Sequence, residues 1–393
     1  GYRWSDAPQF AGGYGVWDVT DPDAPIALSG ASAAGFQDSE AGRRYIVAGP
    51  GFAFEPAVRA YSPLTAASVP PAQRGVALYM IPDASFKAPL QPLLDLRNSQ
   101  GTKALAVDVR RVYDAYSGGY VDPEAIRAFL MEAYATWPAA SSPQDRVTPL
   151  SVVLVGDGTY DPRNFEQRER TPTLIPPYMI EGVDRWLGEV ACDNCYGQFG
   201  DANTLFIMDV WVGRFPVKST EEVQLVVSKI VSYETATDLK ATWRSTALYL
   251  ADNHLKPFLG SAQCATGCVD GGGDFAEFSD NAWVLNPNRT VPGLTPRVYF
   301  DPFPGTPKPP VFNEWWRVGL REDAQKRALW GLQDGPALVV YNGHANIFNM
   351  GELEKTGAAR AFLLGLTDAF SLYRTNQLYV QLSMTCMTAS FAT

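Results

Sequence analysis

The sequence predicts an α/β sandwich on mostly parallel strands, with two subdomains side by side, preceded by a β-rich segment. Three observations predict it. From Val76 onward, short apolar runs of strand length alternate with helical stretches, the order that builds a parallel sheet covered by helices. The run SVVLVG (151–156) is continuously apolar, as suits a strand covered on both faces. Residues 1–72 read differently. They are rich in Gly, Pro, Ala and Ser, and turn signals such as DPDAP (21–25) separate short alternating pieces, YGVWDV (14–19) and RRYIVAG (43–49).

The elements follow in order. SPLTAASVPPAQRG (62–75) reads as a linker, VALYMI (76–81) as a strand and PLQPLLDLRNSQG (89–101) as a helix ending at Gly101. ALAVDV (104–109) is the next strand. Asp122 stands at an N-cap position with Pro123 at the first helical position. Ile126, Phe129, Leu130, Ala133, Tyr134 and Trp137 then repeat on one helix face. After the strands 151–156 and VWVG (210–213), Ser219 with Glu222 forms a capping-box pattern. Val223, Val226, Val227 and Ile230 supply that helix with its buried stripe. A second series runs through TALYLA (246–251), VYF (298–300), a helix over 313–333, ALVVY (337–341) and LYVQLS (378–383).

Composition narrows the function. Of 393 residues, 46% are hydrophobic and 19% charged, which excludes a disordered polymer. Lys and Arg number 32 against 42 Asp and Glu, a net charge of −10, so a nucleic-acid partner is not expected. No run approaches the roughly 18 apolar residues of a membrane span. The first residues, GYRWSDAPQF, carry neither Met nor a signal pattern, so any targeting segment is expected to have been removed or left out.

Two histidines, His254 and His344, and five cysteines occur. In open α/β sheets ligands bind beyond the carboxyl ends of the strands. His344 follows 337–341 and Cys386 follows 378–383, which places the downstream histidine and the one unpaired cysteine at strand ends on the same predicted edge. A thiol needs a base to become a nucleophile near neutral pH. A neutral imidazole can take that proton and later give it to a leaving amine. Asp157 also stands at a strand end.

LVVYNGHANIFNMG around His344 and LYVQLSMTCMTASF around Cys386 resemble the His and Cys segments of the gingipain-type cysteine peptidases, family C25. YSGGYVDPEAIRAFL (116–130), VVLVGDGTYDPRNF (152–165), CDNCYG (192–197) and VGRFPVKSTEEV (212–223) agree, and YGVWDVTDPDAP resembles the segment preceding the peptidase domain in the wider bacterial family. The resemblance implies a caspase-like α/β/α sandwich: residues 73–240 as a first subdomain and 241–393 as a second, catalytic one. It implies an endopeptidase with Cys386 as nucleophile and His344 as base, acting on protein or peptide substrates through an acyl-enzyme at a cell surface or outside the cell, bacterial or archaeal. Cys386 and Ala345 would supply the oxyanion N–H groups. Relatives usually have Gly where Ala345 stands, and Ala disfavours a positive φ.

Asp193 matches the acid that gingipains place in the specificity pocket, which implies a basic P1 side chain. Glu181 lies at about the spacing of the acid that orients the histidine, with Asp157, Asp184 and Glu189 as rivals. No cofactor is implied for catalysis. Structural calcium is, and Asp252, Asp270, Asp274 and Asp280 lie in a loop-rich stretch with suitable oxygens. Cys192-x-x-Cys195 and Cys264-x₃-Cys268 admit two readings, one four-cysteine zinc site or disulfides. A secreted enzyme favours the disulfides. Asn288-Arg289-Thr290 matches a glycosylation sequon.

The chain stops seven residues after Cys386, whereas a caspase-like fold needs more chain there. The expectation is a fragment, completed by further C-terminal chain or by a larger surface assembly. A catalytically inactive structural or assembly component is the alternative function.

Overall fold

The computed structural model describes residues 15–22, 24–29, 35–49, 60–137, 147–163, 165, 173–182, 188–200, 207–251, 298–300, 317–318, 321–354, 361–373, 377–386 and 391. Contacts divide the chain into two units, residues 1–61 and 62–393. In the first, β1 (Gly15–Asp18) pairs antiparallel with β2 (Ile26–Leu28) and with β3 (Tyr45–Ala48). The nearly buried Asp18 is held by Thr20 and by Arg43.

The second unit opens on a correction. Residues 62–70 do not behave as a linker. Ala66 and Val69 are buried in the α/β core. Leu64 N–H donates to Arg111 O (2.9 Å), Trp137 Nε1 to Ala66 O (3.0 Å) and Ser62 N–H to Asp114 Oδ2 (2.9 Å). Polarity around Pro and Ser suggests a loop, but apolar contacts and satisfied backbone groups pin it.

Four parallel strands form the first α/β sheet. β4 (Ala77–Ile81) is followed by α1 (Lys87–Ser99), β5 (Ala104–Asp108), α2 (Val109–Tyr116), α3 (Pro123–Thr136) and β6 (Ser151–Val155). A small antiparallel hairpin, β7 (Met179–Glu181) with β8 (Glu189–Ala191), precedes β9 (Trp211–Phe215) and α4 (Thr220–Thr235). The order is β5-β4-β6-β9, and β4 is buried along its whole length. Layers of side chains pack both faces. Met80, Phe129, Leu130, Trp137 and Leu154 lie in one core cluster, and Ile81, Leu90, Leu93, Val155 and Val223 in another. Caps start the helices where the sequence suggests. Asp122 accepts from Glu124 N–H (2.9 Å) and Ser219 from Glu222 N–H (3.3 Å). Glu222 reaches back to Lys218 N–H (2.7 Å) instead of Ser219 N–H. Sequence reading misses α2, whose cap is Asp108, the last residue of β5.

The second sheet holds β10 (Ala247–Ala251), β11 (Val298–Phe300), β12 (Arg317–Val318), β13 (Leu338–Asn342) and β16 (Val380–Met384), all parallel, in the order β12-β11-β10-β13-β16. α5 (Arg321–Gln333) precedes β13. It starts later than the 313–333 pattern suggests, because Arg317 and Val318 pair with β11 as strand. Between β13 and β16 the chain makes an antiparallel pair, β14 (Asn349–Glu354) with β15 (Ala361–Gly365), and a short helix α6 (Leu366–Ala369). Leu248, Leu250, Ala328, Val339, Tyr341 and Leu363 form the core beneath. No helix among the described residues is long and apolar enough to cross a membrane.

Candidate active site

The site begins with strand register. β13 and β16 are adjacent and parallel, and the last paired residues are Asn342 and Met384. His344 and Cys386 each lie two residues beyond that pair (344 − 342 and 386 − 384). Gly343 N–H donates to Met384 O (3.3 Å), which carries the ladder past Asn342. Neighbouring strands run roughly 4.8 Å apart, and the two residues follow adjacent strands at the same count from the last paired positions. Both are exposed at the sheet's carboxyl edge, and Cys386 is a free thiol.

The chain around His344 is fixed through its carbonyl. That oxygen accepts from the hydroxyl of the buried Tyr341 and from Gly351 N–H (2.9 Å). Ala345 forms an antiparallel bridge with Met350. The bonds holding this bridge are Gly351 N–H to His344 O and Asn346 N–H to Asn349 O (2.9 Å), so it makes no use of the Ala345 N–H. Bridge pairing is made by extended backbone, which alanine adopts freely. A cavity of about 600 Å³ is lined by residues that include Asn346, Phe348, Met350, Leu364, Tyr379 and Ser383.

The other site candidates lie apart from a common cluster. Asp193 opens a 3-10 turn, Asp193–Gly197, and both its oxygens are taken by Arg214, from Nε (2.7 Å) and Nη2 (2.8 Å). The carboxylate therefore has an internal cation at hydrogen-bonding distance. Arg214, which the sequence reading did not single out, is the larger surprise. An arginine inside the strand WVGRF must find buried acceptors, and that was the available signal. Glu181 is exposed on β7, directly across from Glu189. Asp157 follows β6, with Oδ2 facing Lys218 Nζ at 3.3 Å and Oδ1 buried without a hydrogen-bond partner.

Cys192 and Cys195 form a disulfide with each other, Cα atoms 5.4 Å apart, which removes this pair as zinc thiolates. Cys264, Cys268, Asp252, Asp270, Asp274 and Asp280, with Asp184, lie outside the described residues. No cluster of three or more potential metal ligands occurs among the described residues.

The description of peptidase family C25 matches residues 72–393. The chain belongs to peptidase family C25. This is a family of cysteine peptidases, and the match spans both α/β sheets. Among solved structures, the Arg-specific cysteine proteinase gingipain R (RgpB) is similar with a TM-score of 0.51 and 18% identity, over 81% of this chain and 56% of that one. The complex of Porphyromonas gingivalis RgpB pro- and mature domains gives a TM-score of 0.47 at 16% identity, over 79% of this chain and 55% of that one. Dimeric latent PorU from Porphyromonas gingivalis gives 0.33 at 23% identity, over 40% and 15%. The likeness to gingipain R shows the caspase-like fold. This C25 chain spans little more than half the length of gingipain R. No curated protein matches it.

Proposed function

We propose that this chain carries the Cys-His dyad of a secreted or cell-surface cysteine endopeptidase. One observation supports the reading above all: in a C25 chain, His344 and Cys386 stand at equal distances beyond paired residues of adjacent parallel strands. In the proposed reaction His344 takes the proton from Cys386 Sγ, and the thiolate attacks the peptide carbonyl carbon. The N–H groups of Ala345 and Cys386 face the developing oxyanion. Collapse breaks the C–N bond, with the proton passing from His344 to the leaving amine. Water then attacks the thioester, His344 takes its proton, and the acid product leaves Cys386 as it was.

The Cys192–Cys195 disulfide favours an oxidising compartment, and family membership agrees with a place at the bacterial surface or outside the cell. Both oxygens of Asp193 being engaged favours a P1 preference that is not basic. A second reading, a partner-bound assembly component, is favoured by the apolar face of β16. Val380, Leu382 and Met384 are exposed there, near an exposed Phe370 and Tyr373 in sequence.

Peptide hydrolysis with Cys386→Ala as control tests the first reading. Loss of turnover by about 10³-fold or more is expected for removal of a nucleophile. Undiminished turnover in the variant rejects it.

A further inference from the structure

Arg214 is saturated. A guanidinium has five N–H donors in one plane, and each finds an acceptor. Nε and one Nη2 hydrogen go to Asp193, at 2.7 and 2.8 Å. Nη1 serves Gly156 O (2.7 Å) and Ile175 O (2.9 Å), and the second Nη2 hydrogen serves Pro176 O (3.2 Å). The side chain is only 4% exposed. A group held this way cannot rotate and has nothing left to offer in its plane. Only its two faces remain, and Phe391 covers one, with Cζ 4.2 Å from the ring centroid. Phe391 lies five residues beyond Cys386 (391 − 386).

We propose that Arg214 is a positioning residue: its in-plane donors fix it to Asp193 and three carbonyls, and its free face seats Phe391, anchoring the chain that leaves the nucleophile. The proposal rests on the reading of Cys386 as nucleophile. The physical logic is that an exposed thiol just past a strand end is aimed by the course of its own backbone. An anchor a few residues downstream limits where Sγ can go. Misplacement by about 1 Å far from the chemistry is enough to slow a reaction strongly. Arg214 stands on the first sheet and Cys386 follows the last strand of the second, so the contact joins the chain beyond the thiol to the first subdomain. Arginine is required for this. A lysine has three donors and no flat face, so it could satisfy only part of the acceptor set and could not stack.

Phe391→Leu and Phe391→Trp separate this contact from ordinary apolar packing. Leucine keeps the hydrophobicity and loses the ring face, whereas tryptophan offers a stronger one. Two readouts are taken: hydrogen exchange of the peptide covering 385–393, and kcat and KM on peptide substrates. In Phe391→Leu, exchange rises about tenfold and kcat falls by a similar factor, with KM within about twofold. Phe391→Trp stays close to the unsubstituted protein in both. Leucine and tryptophan behaving alike, or unchanged exchange in Phe391→Leu, overturns the proposal. Cys386→Ala keeps the two ideas apart. If that variant turns over normally, the nucleophile assignment falls while exchange still decides the Arg214–Phe391 anchor. If exchange fails while Cys386→Ala is inactive, the anchor alone falls.

Discussion

Asp193→Asn distinguishes an internal role for this carboxylate from a role in holding substrate. The substitution keeps the shape and removes the charge. In the structure it removes the negative charge facing Arg214 and one of the two accepting oxygens, and turns an amide nitrogen toward a guanidinium that also donates. Arg214 is 4% exposed, so its charge would remain with amide and carbonyl dipoles around it and no anion. Breaking a buried ion pair from one side costs about 3–5 kcal/mol. Asp193 is itself 15% exposed, which lets water screen part of the loss and points to the lower end, about 3 kcal/mol. The measurement is urea unfolding followed by tryptophan fluorescence, alongside kcat/KM on peptides with Arg or Leu at P1. The expected result is a large loss of stability and an equal effect on both peptides. A variant within about 0.5 kcal/mol of the parent that loses only the Arg peptide would refute the reasoning and return Asp193 to the substrate.

Other consequences follow from separate parts of the molecule. At Gly197 a Cβ would sit 2.1 Å from Val210 O and 2.8 Å from Val212 Cγ2. Gly197→Ala is therefore expected to cost several kcal/mol, on the order of 3 or more, read as a fall in melting temperature; an unchanged melting temperature contradicts the packing described. Reducing Cys192–Cys195 opens a loop of four residues (192–195), which chain-entropy arguments value at about 2 kcal/mol. Unfolding with and without reductant measures it, and the Cys264–Cys268 pair must be mapped in the same experiment. Glu234 is held below the usual carboxylate range, chiefly by hydrogen bonds from Arg97. A depressed folded value means that its stabilisation is present above the unfolded value, about 4.3, and fades as pH falls through the folded one. Glu234→Gln should thus be less stable at neutral pH and lose stability less steeply on acidification; parallel pH profiles of the two proteins would contradict this.

Much of the scaffold is legible from local pattern, because periodicity and caps are local physics. Asp122-Pro123 and the stripe from Ile126 to Trp137 locate α3 to within a residue. The runs read at 76–81, 151–156, 246–251 and 337–341 become central strands, each to within a residue. Elements with weak local signal are not legible. The strands of β7 and β8 are three residues each, too short for alternation to register. β14 reads NMGELE, polar and interrupted by Gly351 at φ 73°. The stretch 62–70 has the composition of a linker, and Ala66 and Val69 within it are buried where Trp137 and Arg111 come to meet the chain.

By itself the sequence determined which chemistry-bearing residues stand at strand ends, since that depends on order along the chain alone. His344 and Cys386 are of this kind. Tertiary structure decided which strand lies beside which, and hence that β16 returns next to β13 with the two residues in register. It also decided what surrounds each charge. Asp193 between two cysteines offers no hint of Arg214, 21 residues away, because a buried ion pair is a property of folded neighbours and leaves no periodic trace along the chain.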